Sequence, residues 1–255
     1  MVTPWKTRSR VPENATLHDP RKLAPEVVKL NDNAWCQIVE AFLSSCIKLH
    51  DGETDFGINN IEAQSIDPRF LPQVSVGSRV EHVSAKCDFA LAMVDKNGYG
   101  DMKLCQMADA YTSTLCLPCP IVVKRHGGNA EEVELQLMIW LASALAHMEY
   151  LRGLAREPKR PVPPVVGWTV IGHTWSFYIA WSFRSDVTVM GPFNPGNAGT
   201  TDVLSIYVLT SLWKRLFEWI QEVYYPAYNE LLQGAIDALE EDDRTPGPLP
   251  AEDKD

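Results

Sequence analysis

The stretch Pro120-Ile-Val-Val-Lys-Arg-His-Gly-Gly-Asn-Ala-Glu-Glu-Val-Glu-Leu-Gln-Leu-Met-Ile-Trp140 decides the fold that the sequence predicts. It begins as a short apolar run that ends at Lys124, is interrupted by two glycines, and continues with apolar residues at helical spacing. This pattern predicts a buried strand that leads through a turn into an amphipathic helix. The lysine stands at the end of the strand, where a charge faces a cleft.

The helix in this stretch has a well-defined predicted start. Asn129 is followed three residues later by Glu132, which is the signature of an N-cap with a capping box. Gln136 and Trp140 lie four residues apart, so we expect both on the helix face that is turned towards Lys124.

Three flanking motifs extend the pattern. Lys86-Cys87-Asp88-Phe89-Ala90-Leu91 is typical of a strand that carries an aspartate, and Asn31-Asp32-Asn33-Ala34-Trp35 lies in a predicted amphipathic helix. Val170-Ile171-Gly172-His173-Thr174-Trp175 is typical of a hairpin turn. With the central stretch, these motifs resemble the fungal PD-(D/E)XK nuclease-like domains. That family has a strand of the type Ile-Glu-Thr-Lys-Arg, then Gly-Gly, then a helix reading Leu-Gln-Leu-Gly-Ile-Trp.

The resemblance covers roughly residues 24 to 235 and implies an α/β fold. The expected fold is a PD-(D/E)XK nuclease-like core, in which a mixed central sheet is flanked by long helices. The strands of Asp88 and Lys124 should be neighbours. Periodicity adds helices at about 24–49 and 201–239, the second kinked at Pro226, and a hairpin at 165–181. We predict irregular chain at 191–199, and strands near 58–66 and 82–94.

One departure from the family concerns its chemistry. The family's metal-binding set is the strand Asp, the strand Glu and the Lys; Asp88 and Lys124 match, but the Glu position is Val122. A valine offers no ligand to the hard, oxygen-preferring Mg²⁺. We therefore expect no metal and no cofactor. The alternative is a magnesium site completed by an acid from the helix, as in some relatives of this fold, and the available acids are Glu131, Glu132 and Glu134.

Three functions follow from this departure. The first is a repurposed nuclease fold that acts without a cofactor on an apolar small molecule, as a cyclase or isomerase of fungal secondary metabolism. The second is a Mg²⁺-dependent nuclease acting on DNA, and the third is a non-catalytic binding protein. For the first function, the candidate catalytic residues are Lys124, Asp88, His126 and His173, and the substrate-binding residues are Gln136, Trp140, Trp175, Asp32 and Val122.

The same residues also have structural explanations. Asp32 can be a solvated charge near a helix start, Asp88 a half-exposed strand charge, and His173 a surface histidine. Without a metal, Asp88 and Lys124 are expected to form an ion pair. Cys116-Leu-Pro-Cys119 has the spacing of a redox or zinc motif, but it precedes a strand and has no second pair, so we expect free thiols.

Composition limits the partners. The chain has 255 residues and a formal charge of -10, of which the body carries -8 between a basic N-terminal arm and an acidic tail. An acidic body makes nucleic acid an unexpected partner. There is no apolar signal-like segment, so we expect an intracellular protein, in the cytoplasm or the nucleus, with no membrane contact. The predicted organisation is a flexible arm at 1–22, one domain at 23–239 and a disordered acidic tail at 240–255; the oligomeric state stays open.

Overall fold

The computed structural model describes residues 31–50, 56–76, 79–82, 85–93, 102–183 and 186–244. These residues form eight strands: β1 (Phe56–Asn60), β2 (Gln73–Val76), β3 (Arg79–His82), β4 (Phe89–Met93), β5 (Cys116–Lys124), β6 (Val165–Ile171), β7 (Thr174–Phe183) and β8 (Asp186–Phe193). They also form four α-helices: α1 (Asp32–Leu49), α2 (Ala130–Leu154), α3 (Val203–Trp219) and α4 (Tyr225–Arg244). Short 3₁₀ turns occupy Pro68–Phe70, Thr112–Thr114 and Pro195–Asn197.

Six strands form one mixed sheet in the order β1-β4-β5-β6-β7-β8, and β2 and β3 form a separate hairpin. The pair β5 and β6 is parallel and is connected through α2, whereas every other neighbouring pair in the sheet is antiparallel. The predicted fold class, a mixed central sheet flanked by long helices, is confirmed. β5 is at the centre of the sheet because its apolar run is buried on both faces.

The helices cover both faces of the sheet. On one face α2 packs against β5, β6 and β7, and α4 packs behind α2. On the other face α1 and α3 cover an aromatic core in which Phe42 contacts Trp175, and Trp168 stacks on Trp213 with ring centroids 5.2 Å apart. No helix in the described ranges has the length and apolar character needed to cross a membrane.

Several predicted boundaries were wrong. α1 begins at Asp32, because Asn31 has extended backbone angles and caps the helix through its side chain; residues 24–30 of the predicted helix lie outside the described residues. The predicted strand at 82–94 is shorter, and β8 extends into the segment 191–199 that we expected to be irregular. The expected kink before Pro226 is a π-helical turn at Ile220–Tyr224, which accommodates a residue that lacks a backbone N–H donor.

The structure describes the chain at only one of the two predicted ends of the domain. The arm at 1–22 lies outside the described residues. At the other end α4 continues to Arg244, so residues 240–244 are helical rather than part of a tail, and residues 245–255 lie outside the described ranges. Asp242 forms an ion pair with Arg156, which holds this last turn against the loop after α2.

Candidate functional site

Asp88 and Lys124 lie at the same end of two neighbouring strands. In the β4 and β5 pair Phe89 is opposite Ile121, and Asp88 directly precedes Phe89. Its Oδ2 atom accepts a hydrogen bond of 2.7 Å from the backbone N–H of Val123. Continuing the register by one residue places Asp88 opposite Val122, and Val122 shares its sheet face with Lys124 because strand side chains alternate. The predicted adjacency of the two strands is confirmed.

The position of the family's strand glutamate is sealed in the core. Val122 has no exposed surface and offers no ligand atom. Within the described ranges, no group of three or more His, Cys, Asp or Glu side chains is arranged to hold a metal ion. Val122 therefore supplies no second strand carboxylate beside Asp88.

The ion pair that Lys124 forms differs from the one we expected. Its Nζ atom lies 3.8 Å from Oε1 of Glu132, on α2, and the expected contact with Asp88 is wrong. The side chain of Lys124 turns towards the helix, whereas the carboxylate of Asp88 is held by the backbone of β5. Gln136 donates a hydrogen bond of 3.4 Å to the same oxygen of Glu132, so it lies beside Lys124 through that glutamate.

Of the three helix glutamates, Glu132 is the one beside Lys124. Glu134 instead accepts a hydrogen bond of 2.9 Å from the hydroxyl of Tyr178, on β7. Glu131 is exposed at the helix N-terminus, where its backbone N–H bonds to the side chain of the N-cap Asn129. The helix thus offers one acid at the site.

Asp88 is electrostatically unusual. Burial of its carboxyl raises its pKa above the ordinary value, and the negative charges of Glu62 and Asp32 raise it further. The N–H of Val123 and the positive charge of Lys124 act in the opposite direction without cancelling these effects. A carboxyl group whose pKa is raised in a partly buried cleft holds its proton to higher pH than a surface aspartate does.

Helix α1 brings Asp32 and Cys36 within electrostatic range of Asp88. The Oδ1 atom of Asp32 accepts a hydrogen bond of 2.8 Å from the backbone N–H of Arg125, directly after Lys124. Cys36 follows one helical turn later and is half-buried. Burial, with the carboxylates of Asp88, Glu62 and Asp32, raises the pKa of its thiol to about 12.

Cys36 and Glu62 were missed from the sequence. The spacing of four residues between Asp32 and Cys36 could have indicated the thiol, because residues at that spacing share a helix face. Glu62 follows β1 in a loop, and no local pattern indicates that it approaches Asp88.

The two candidate histidines differ in their surroundings. His126 is exposed after β5, and the β6–β7 turn approaches it closely. A Cβ atom added at Gly172 would lie 3.0 Å from Cβ of His126, and Gly172 also has a φ of 58°, so glycine is required there for both reasons. His173 is held by Thr200, 3.0 Å from its Nδ1 atom, and its ring meets Trp35 edge-on.

The two predicted aromatic walls do not enclose one pocket. Trp175 belongs to the aromatic core under α1 and α3, where it contacts Trp213. Lys124 faces α2, on the other side of the sheet. Trp140 lies on α2 and is 1% exposed, so it is a core residue. The expectation that both tryptophans line the cleft around Lys124 is wrong, because the hairpin register turns Trp175 to the opposite face.

The predicted cysteine pair is also buried. Cys116 and Cys119 lie within β5, and neither forms a disulfide. Burial raises the pKa of Cys119 well above its usual range. A buried thiol whose pKa is raised is unreactive.

The chain was compared with known proteins. No curated protein matches it. The family model described as the PD-(D/E)XK nuclease superfamily matches residues 28–225, the range that holds the site from Asp32 to the β6–β7 hairpin. The chain therefore belongs to the PD-(D/E)XK nuclease superfamily.

Proposed function

We propose that this chain is a nuclease-fold protein that works without a metal, and that its cleft carries out acid–base chemistry on a small molecule. The observation that supports the proposal is that a partly buried carboxyl of raised pKa, Asp88, lies within electrostatic range of an amine, Lys124. Val122 supports the same view, because the sealed position removes the second acid of a metal site. Titratable groups with perturbed pKa values cluster at functional sites.

Asp88 has the properties of a general base or acid. Its raised pKa brings proton exchange closer to neutral pH, where proton transfer by a carboxyl group is more efficient. The hydrogen bond from Val123 fixes Oδ2, so the carboxyl keeps one orientation relative to the cleft. A substrate proton would be taken by the other oxygen.

Lys124 has the properties of an oxyanion donor. Its side chain is 25% exposed, and the distance of 3.8 Å to Glu132 leaves N–H groups free to donate to a substrate. In the proposed step Asp88 removes an α-proton from a β,γ-unsaturated ketone, the ammonium donates to the oxygen of the resulting dienolate, and Asp88 returns the proton to the γ-carbon. This is an isomerisation, and removing one such donor typically costs roughly 10² to 10³ in rate.

A cyclase has less support than an isomerase. Folding a flexible apolar substrate needs aromatic walls around the cleft. Trp140 is buried in the core and Trp175 lies on the opposite face. The proposed reaction is therefore proton transfer to and from a carbonyl compound.

The test uses proton exchange, because it needs no knowledge of the natural substrate. A panel of enolisable ketones is incubated with the protein in D₂O, and deuterium uptake at the α-carbon is followed by proton NMR. We expect the wild type to accelerate exchange of at least one ketone, and Asp88→Asn and Lys124→Met to be at least about tenfold slower. Lys214→Met, on the exposed side of α3, is the matched control and should exchange like the wild type.

Two outcomes oppose the proposal. Exchange that is equal in wild type and folded Lys124→Met would remove the donor role. Absence of exchange with every ketone, together with Mg²⁺-dependent cutting of DNA, would favour the nuclease, with Glu132 as the acid supplied by the helix.

A further inference from the structure

A cavity lies on the face of the sheet that is opposite to Lys124. It has a volume of about 320 Å³ and opens between β6, β7 and α3. Its walls are almost entirely apolar, and they include Val166, Trp168, Phe177, Leu212 and Trp219. Pockets for small ligands have volumes of about 300 to 1,000 Å³ and are mostly apolar.

This cavity is separate from the proposed catalytic cleft. Val166 is near the start of β6, whereas Lys124 is paired with Ile171 at the end of that strand. Trp168 faces α3, where it stacks on Trp213, whereas Lys124 faces α2. No side chain that we place in the acid–base site lines the cavity.

One lining residue gives the cavity polar character. Arg215 lines it and is the one charged residue among the lining side chains. The Arg215 side chain is 81% exposed, and its partner is Glu218, three residues away on the same helix.

The ion pair of Arg215 does not block a ligand. Exposed pairs at this spacing contribute little to stability, so a ligand carboxylate can replace Glu218 at low cost. A guanidinium binds a carboxylate through two parallel N–H groups. The apolar walls cover a hydrocarbon portion of the ligand, and burial of each CH₂ group there favours binding.

We infer that this cavity binds a small amphipathic monocarboxylic acid, with its apolar part between the sheet and α3 and its carboxylate at Arg215. The Arg215 guanidinium selects the acid over an uncharged molecule of the same size. Trp168, Trp213 and Trp219 lie in or against the cavity, so their fluorescence reports occupancy.

Decanoate is the probe, and decanol, which has the same chain without the charge, is the matched ligand. Both are titrated into the full chain below their aggregation concentrations, and binding is followed by tryptophan fluorescence and by calorimetry. We expect decanoate to bind with a Kd in the micromolar range and decanol about tenfold more weakly.

Three variants assign the site. Leu212→Trp fills the cavity from α3, and we expect it to abolish binding of both ligands. Arg215→Met keeps the apolar stem and removes the charge, and we expect it to weaken decanoate about tenfold and to leave decanol unchanged. Arg244→Met is the control, because Arg244 is also an exposed arginine paired within its helix, with Glu240.

Several outcomes overturn the inference. One is that neither ligand binds, and another is that Leu212→Trp binds decanoate like the wild type. Equal affinities for decanoate and decanol, with no effect of Arg215→Met, would overturn the acid as the ligand class. Sedimentation showing a dimer that Leu212→Trp dissociates would instead identify the cavity as an interface between two copies.

Discussion

The carboxylate of Asp88 takes the place of a main-chain partner for Val123, because its Oδ2 atom lies 2.7 Å from the backbone N–H of that residue. The hydrogen bond fixes the acid one residue before Lys124, and burial still raises the pKa of the carboxyl. Burial therefore raises the pKa of Asp88 more than the hydrogen bond from Val123 lowers it.

The first prediction concerns the stability cost of this acid. A carboxyl whose folded-state pKa is raised favours folding most at low pH, and that contribution is lost as pH rises from about 4 through the raised pKa. Asp88→Asn keeps an acceptor for Val123 and removes the buried charge. We expect it to stabilise the protein by about 1 kcal/mol at pH 7 and not at pH 3, measured by urea unfolding. Asp186→Asn, on the exposed end of β8, is the control; a destabilised Asp88→Asn at pH 7 would contradict the argument.

The second prediction concerns metal binding. We expect no cleavage of single- or double-stranded DNA or RNA by the wild type with Mg²⁺ or Mn²⁺, and no rise in Tm on adding Mn²⁺, because Val122 supplies no ligand. Val122→Glu should gain a Mn²⁺-dependent rise in Tm of several degrees, since binding to the folded state stabilises it.

Val122→Gln is the matched control for that experiment, because it adds similar bulk without a charge. A glutamate at this fully buried position costs stability. The Tm of Val122→Glu without metal should therefore be lower than that of the wild type. Metal-dependent cutting by the wild type that disappears in Asp88→Ala would contradict the proposed metal-independent function.

The third prediction concerns His147, which is buried on α2. Burial lowers its pKa to about 4, although its Nε2 atom lies 3.2 Å from the carbonyl oxygen of Lys103. The unfolded chain, with an ordinary pKa near 6.5, then binds more protons between pH 6.5 and 4. Stability should fall by about 3 kcal/mol as the pH drops through this window.

His147→Gln should flatten this pH dependence, because glutamine can still donate to Lys103 and does not titrate. The exposed His126→Gln is the control and should keep the wild-type slope. The free energy of unfolding is measured from pH 7 to pH 4. If its slope against pH is equal in His147→Gln and the wild type, another group is responsible for the pH dependence.

The fourth prediction uses Cys36 as a reporter of the cleft. Its thiol pKa of about 12 makes it unreactive, and the charge of Asp88 contributes to that value. Asp88→Asn should therefore increase the alkylation rate of Cys36 by iodoacetamide at pH 8 several-fold, because the thiolate is the reacting form. The rate is read by mass spectrometry of the labelled peptide, with Asp186→Asn as control. An unchanged rate would show that Asp88 and Cys36 do not share the cleft.

Local patterns in the sequence were sufficient for much of the fold. The apolar run to Lys124, the N-cap at Asn129 and the hairpin at 165–181 each depend on residues that are near one another in the chain. The resemblance to the nuclease family, rather than a local pattern, placed Asp88 and Lys124 on neighbouring strands. We did not predict β8, because Gly191 and Pro192 are typical of loops. Pairing with β7 overrides that local preference.

What the sequence determined by itself was therefore the set of strands and helices around the central stretch, and the loss of the strand acid at Val122. Only the tertiary structure decided that Lys124 pairs with Glu132, that Trp175 faces away from it, and that Glu62 approaches Asp88. Periodicity fixes which side chains share a face. The partner of a long side chain and the pKa of a buried one depend on how distant segments pack, and no local pattern contains that information.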